Sequence, residues 1–143
     1  MIITTEADMR AFGEKLAHTL SVGDWVAIDG PLGAGKTVLC QGILQGLGLV
    51  GEVTSPSYAI VHLYDPPETM IAVAHADLYR LNDVAELEQL GLAEERDCRL
   101  NLVEWAERAG SAYTQPSHHI LIEPQPGGSR ILTLNTDQHD TCD

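Results

Sequence analysis

Gly30-Pro31-Leu32-Gly33-Ala34-Gly35-Lys36-Thr37 fits G-x-x-x-x-G-K-[ST], a loop that wraps backbone N–H groups around phosphate. Its flanks decide the fold. Trp25-Val26-Ala27-Ile28-Asp29 is a short apolar run that reads as a strand, and Thr37 through Leu47 reads as a helix. Strand, Gly-rich turn and helix N-terminus together aim free N–H groups and the positive end of a helix dipole at an anion. Lys36 is then placed to reach the β- and γ-oxygens of a nucleotide, and the Thr37 hydroxyl to ligate Mg²⁺. The candidate nucleotide-binding positions are Gly30, Leu32, Gly33, Ala34, Gly35, Lys36, Thr37 and Val38. Only two lysines are present, Lys15 and Lys36, and one of them lies in this motif.

Bulk properties narrow the class. A length of 143 residues suits one domain over 1–143, with a polar tail from about 136 that is expected to fray. Hydrophobic content of 44% is ordinary for a globular chain, and no apolar run approaches the ~20 residues of a membrane span. The N-terminus has no basic-then-apolar leader pattern. Cys40, Cys98 and Cys142 are odd in number and lack C-x-x-C spacing, so neither a disulfide framework nor a zinc site is expected. A reduced, cytoplasmic protein follows as the expectation, with no membrane contact. The net charge of −13, with six Arg and two Lys scattered along the chain, disfavours direct tight binding of nucleic acid. An acidic chain kept in solution by self-repulsion, or an acidic surface that meets a basic partner, both fit.

Further elements follow from spacing. Thr5 with Asp8 resembles a capping box and opens a helix over about 6–20, whose buried stripe is Met9, Phe12, Leu16 and Leu20. After the second helix comes a Gly-rich exit from Gly46 to Gly51. Residues 58–64 and 70–76 read as strands paired across the Asp65-Pro66-Pro67-Glu68 turn. A helix is expected over Val84–Leu90, closed by Gly91, and a strand over Leu100–Val103. Residues 118–123 and 130–135 form a hairpin around Gly127-Gly128. This order predicts an α/β, P-loop NTPase-like sandwich: a mixed sheet with a parallel centre and antiparallel hairpins, flanked by helices.

A phosphate loop needs carboxylates at strand ends to complete a magnesium shell. Asp77 follows the apolar run Ile71–Ala76, and Glu104 follows Leu102-Val103. Asp77 suits the metal shell; Glu104 suits the attacking water, or the metal, or else is only a helix-start charge. His75 and Asp77 share one strand face, but two residues do not close a metal site and Mg²⁺ prefers oxygen. His75 is therefore read as a hydrogen-bonding neighbour of the site or a packed core histidine. His118 and His119 point to opposite faces and cannot share a metal. Hydroxyls in Thr54-Ser55-Pro56-Ser57 can sense a γ-phosphate in the manner of a switch loop, or form an ordinary turn. Trp105 can stack on a base, dock a partner or pack in the core, and Arg80 either stabilises phosphate charge or pairs with Asp83.

Several motifs then line up in order: Gly33-Ala34-Gly35-Lys36-Thr37, Ser55-Pro56-Ser57-Tyr58, His75-Ala76-Asp77-Leu78-Tyr79-Arg80-Leu81, Glu86-Leu87 with Leu90-Gly91-Leu92, and Val103-Glu104-Trp105. From about Thr5 to Glu123 the chain resembles the TsaE (formerly YjeE) family, small bacterial P-loop ATPases required for N6-threonylcarbamoyladenosine (t6A) formation in tRNA. Two departures stand out: Pro31 where the family usually has Asp, and Ser57 where it usually has Thr. The resemblance implies ATP/ADP and Mg²⁺ as ligands, Lys36 and Thr37 on phosphate and metal, and Ser55 and Ser57 in a switch-like loop. It further implies Asp77 in the metal shell, with Glu104 and Trp105 in the nucleotide and partner region. Such proteins look like weak ATPases alone that act on a complex with TsaB and TsaD, resetting it between cycles while the partners hold the tRNA. The rival readings are a small-molecule kinase, which usually needs a lid with several arginines, and a nucleotide-gated binding module without turnover. No N-K-x-D segment for reading guanine is present.

Overall fold

A computed structural model describes residues 1–51, 61–81, 83–109 and 115–136. Seven strands form one sheet: β1 (Ile2–Ile3), β2 (Trp25–Asp29), β3 (Val61–Tyr64), β4 (Val73–Asp77), β5 (Leu100–Glu104), β6 (His118–Pro124) and β7 (Arg130–Thr136). Their order is β1-β7-β6-β2-β5-β4-β3. The four central strands β6, β2, β5 and β4 run parallel, whereas β3, β7 and β1 pair antiparallel at the edges. The expected mixed sheet with a parallel centre is thus present, and it brings the C-terminal ends of β2, β4 and β5 side by side, where ligands of open α/β sheets bind.

Helices α1 (Glu6–Ala17) and α2 (Lys36–Gly46) cover one face, and α3 (Val84–Leu90) belongs to the other. Strand parity sorts the residues. Val26, Ile28, Val73, Leu100 and Leu102 join the core under α1 and α2, while Trp25, Ala27, Ala74, Ala76 and Val103 join the core with Leu87 of α3. The same parity places His75, Asp77 and Glu104 on the α2 face. Both faces of the central strands are covered, and β2 and β5 are accordingly buried at every position.

Thr5 caps α1, its hydroxyl accepting the Asp8 N–H at 3.0 Å. The helix stops at Ala17 and does not run to about 20 as spacing suggested. Leu20 still reaches the core, because Thr19 and Leu20 wind on through tighter bonds to the Leu16 and Ala17 carbonyls. Asp83 caps α3 and Gly91 closes it. The strand expected over 70–76 begins only at Val73: the Met70 N–H is tied to the Leu47 carbonyl and Met70 is exposed, so pairing with β3 starts at Tyr64–Val73. Positions 58–60 of its expected partner, the switch-like segment with Ser55 and Ser57, and the tail beyond Thr136 lie outside the described residues. Among the described residues no helix is long and apolar enough to cross a membrane.

Backbone contact between α1 and α2 holds the phosphate loop's helix in place. A Cβ on Gly42 would stand 2.3 Å from the Arg10 carbonyl oxygen, and one on Gly13 would stand 2.6 Å from the Leu39 carbonyl oxygen. In an exposed helix, Gly→Ala gains up to ~1 kcal/mol. Here the added methyl meets backbone that cannot step aside, and Gly42→Ala is expected to cost about 1–3 kcal/mol. A thermal melt followed by circular dichroism should show a midpoint roughly 5–10 °C lower; a raised midpoint would refute this close crossing.

Candidate functional site

The loop from Gly30 to Gly35 connects β2 to α2, and two of its glycines are sterically required. A Cβ at Gly30 would lie 2.6 Å from the Ile122 carbonyl oxygen on β6. Gly35, the N-cap of α2, has φ 110°, a left-handed value that strains any side chain, and a Cβ there would also press on the Met9 Cε. Pro31 leaves the turn intact, since its carbonyl accepts the Ala34 N–H at 3.1 Å.

Lys36 is only 5% exposed. Its Nζ donates to the Gly30 carbonyl at 2.6 Å and the Pro31 carbonyl at 2.8 Å, and lies 4.0 Å from the centre of the Trp105 ring. Burial lowers the Lys36 pKa below the ordinary lysine value; the charges of Glu104, Asp77, Asp29 and Glu107 work against that shift. Carbonyls and a ring face solvate the ammonium without neutralising it, which leaves it ready for an anion.

Beside it, the Thr37 hydroxyl donates to Glu104 Oε1 at 3.1 Å. The other oxygen, Oε2, stands 2.6 Å from His75 Nε2, with His75 0% and Glu104 2% exposed. One turn further along α2, Cys40 points down at the same group; the ligating atoms of Cys40, His75 and Glu104 all lie within 4.8 Å of one another. Burial, reinforced by the Glu104 charge, pushes the Cys40 thiol well above its usual range, so it remains an S–H. Asp77 is the register partner of Glu104 on the adjacent parallel strand, and its Oδ1 accepts the Tyr79 N–H at 3.0 Å. Burial raises the Asp77 pKa, and the Glu104 charge adds to this; the Tyr79 N–H, His75 and Lys36 offset it in part.

Lys36, Thr37, Glu104 and Asp77 open on one cleft of about 460 Å³, a volume suited to a small-molecule ligand. Of the sequence candidates, Leu32, Gly33, Gly35, Lys36, Thr37, Val38, Asp77, Glu104 and Trp105 line it. Gly30 contributes its carbonyl to Lys36, and the buried Ala34 side chain faces the core. Arg80 also lines the cleft, while Asp83 Oδ1 accepts the Ala85 and Glu86 N–H groups. Trp105 is half-buried in a left-handed turn at φ 58°, its ring against Tyr79 at 4.9 Å and under Lys36.

Sequence reading missed part of the cleft wall. Thr5, Glu6 and Met9 line it from the start of α1, and Arg130 from the start of β7. Arg130 Nη2 donates to the Gly33 carbonyl at 3.1 Å, bracing the loop across 97 residues of sequence. No motif marks Arg130; only its place beside the turn of the last hairpin brings it there. The two adjacent histidines have separate partners: His118 Nδ1 is 3.0 Å from the Ser117 hydroxyl, whereas His119 Nε2 is 3.0 Å from Asp29 Oδ2.

Known proteins are similar to this chain along most of its length. The family model described as "Threonylcarbamoyl adenosine biosynthesis protein TsaE" matches residues 3–131. A protein of Haemophilus influenzae named "tRNA threonylcarbamoyladenosine biosynthesis protein TsaE" is 41% identical over 126 residues, covering 84% of this chain and 77% of its own. The protein of the same name in Streptomyces coelicolor is 36% identical over 120 residues, covering 83% and 81%. That of Mycobacterium tuberculosis is 35% identical over 124 residues, covering 81% and 73%. Among solved structures, the crystal structure of Bacillus subtilis YdiB superimposes with a TM-score of 0.79 at 25% identity, covering 98% of this chain and 86% of that one.

Proposed function

The chain belongs to the TsaE family, and on that premise we propose that it is a Mg²⁺-dependent ATPase serving N6-threonylcarbamoyladenosine formation at position 37 of tRNA. One observation carries the reading: Lys36, Thr37, Asp77 and Glu104, from three separate elements, line a single cleft. Thr37 and Glu104 would hold magnesium, which would supply positive charge to the nucleotide's phosphates. Because the Thr37 hydrogen is given to Glu104, the hydroxyl's lone pairs are left for the metal. Lys36 binds the phosphates. The wall formed by Thr5, Met9 and Arg130 receives the nucleoside.

This bonding favours a different division of labour between the two carboxylates from the one that sequence suggests. Both Glu104 oxygens are engaged, which suits a fixed metal neighbour. Asp77, less buried and with a raised pKa, suits the group that orients the attacking water and takes its proton. The γ-phosphoryl group passes to that water, ADP leaves, and the proton passes through Asp77 to solvent.

The partners in this reading are TsaB and TsaD, with ATP turnover resetting their complex and tRNA reaching this chain only through them. A net charge of −13 supports that arrangement, since a phosphate backbone gains little from so acidic a chain. The test is phosphate release from ATP·Mg²⁺ with and without purified TsaB–TsaD. Stimulation of at least about tenfold, equivalent to ~1.4 kcal/mol of barrier, is expected; equal turnover in both would overturn the coupling.

A further inference from the structure

His75 is wholly buried and lines no part of the cleft, yet one ring nitrogen touches the group nearest the proposed metal. Three roles compete for it. A packing role fits poorly. Nδ1 has no hydrogen-bond partner among the described residues, and burying an unpartnered ring nitrogen costs stability that an aliphatic side chain of similar size would not. A soft-metal role, with Cys40 and Glu104, also fits poorly. Nε2 and Oε2 are 2.6 Å apart, a direct hydrogen bond with no room for a cation between them, and Nδ1 lacks the acceptor that a metal-bound imidazole usually finds. What remains is the bond itself.

We propose that His75 is a positioning residue for Glu104. Its Nε2–H fixes Oε2, and with that oxygen fixed, Oε1 stays against the Thr37 hydroxyl and the Thr37 lone pairs would remain free for a magnesium ion. The carboxylate would therefore keep one orientation with or without the metal, because Thr37 could ligate through its oxygen without withdrawing its hydrogen. The register makes this possible: His75 lies opposite Leu102 on β5, two residues before Glu104, on the face that both strands turn to α2. This inference rests on the reading of Thr37 and Glu104 as the metal-holding pair and deepens it.

The experiment measures binding of the non-hydrolysable analogue AMP-PNP by calorimetry across a Mg²⁺ series and in EDTA. Wild-type protein must bind more tightly with Mg²⁺; if it does not, the metal-pair reading itself fails. Given that response, His75→Leu should raise the Mg²⁺ concentration for half-maximal effect about 10–100-fold, with affinity in EDTA unchanged. His75→Gln places an amide N–H at the reach of Nε2 and should restore the response to within a few-fold. His75→Asn, whose amide reaches only as far as Nδ1, should not. A wild-type Mg²⁺ response in the Leu variant would overturn the proposal. Should the Leu variant not melt cooperatively, the Gln and Asn variants decide, and equal Mg²⁺ responses in those two would also overturn it.

Discussion

Lys36→Ala is expected to lower ATP turnover by at least about 10²–10³-fold, the size seen when one preorganised electrostatic contact to a transition state is deleted. The size follows from where the ammonium lies. It is nearly buried, solvated by two loop carbonyls and the Trp105 ring, and surrounded by the Glu104, Asp77, Asp29 and Glu107 carboxylates. A polyphosphate entering the cleft meets repulsion from Asp77 and Glu104 that Lys36 and the loop N–H groups help to outweigh. Removing the lysine therefore leaves those carboxylates less opposed as well as deleting a contact, and nucleotide affinity should fall with turnover. The fold should survive. Burial disfavours the charged lysine in the folded state, so the folded chain holds that proton less tightly than the unfolded chain. The apo fold consequently gains stability as pH rises through the lowered pKa towards the ordinary lysine value of 10.5. Alanine has no such penalty to carry. Phosphate release, nucleotide titration and a melt on one preparation check this; wild-type affinity in a folded Lys36→Ala protein would remove the phosphate role.

Much of this arrangement is legible in the sequence, for identifiable reasons. The loop from Gly30 to Thr37 is one contiguous motif, and the flanking strand and helix announce themselves by apolar pattern; that the Ile122 carbonyl of β6 presses on Gly30 is not visible there. Asp77 and Glu104 are legible as strand-end carboxylates, because parallel strands feeding one site must end in chemistry. Partnership is another matter. That Asp77 and Glu104 are register neighbours, and that parity turns His75 to the α2 face, depends on β4 lying beside β5, which no local pattern fixes. Arg130 reaches Gly33 through a hairpin formed far along the chain. Gly13 and Gly42 look like helix weaknesses until α1 and α2 are seen to touch backbone to backbone. Strand β1, only Ile2–Ile3, is too short to show a period at all and is held at the sheet edge by β7. Where function depends on contacts between distant elements, composition and spacing name the participants and leave the pairing open.

Asp77→Asn should separate catalysis from stability, because the two respond in opposite directions. Turnover is expected to fall about 10²–10⁴-fold, the range for loss of a general base, while Mg²⁺-nucleotide binding persists through Lys36, Thr37 and Glu104. The amide keeps an oxygen for the Tyr79 N–H, so the turn after β4 is preserved. Stability should rise. Burial first, and the Glu104 charge second, lift the Asp77 pKa above its ordinary 3.8, so the folded state binds that proton more tightly than the unfolded state. Between 3.8 and the raised value the unfolded chain holds fewer protons, and stability therefore falls as pH rises through that window and stays lower above it. The asparagine variant never loses a proton there. Without nucleotide it should melt above wild type at pH 7, and the gap should close as pH falls towards 4. Magnesium and nucleotide should narrow the gap at pH 7, because a nearby cation favours the ionised carboxylate. A variant that keeps wild-type turnover would remove Asp77 from the chemistry. One that melts below wild type at pH 7, with the gap unchanged down to pH 4, would show that the buried charge is not the strained element of this site.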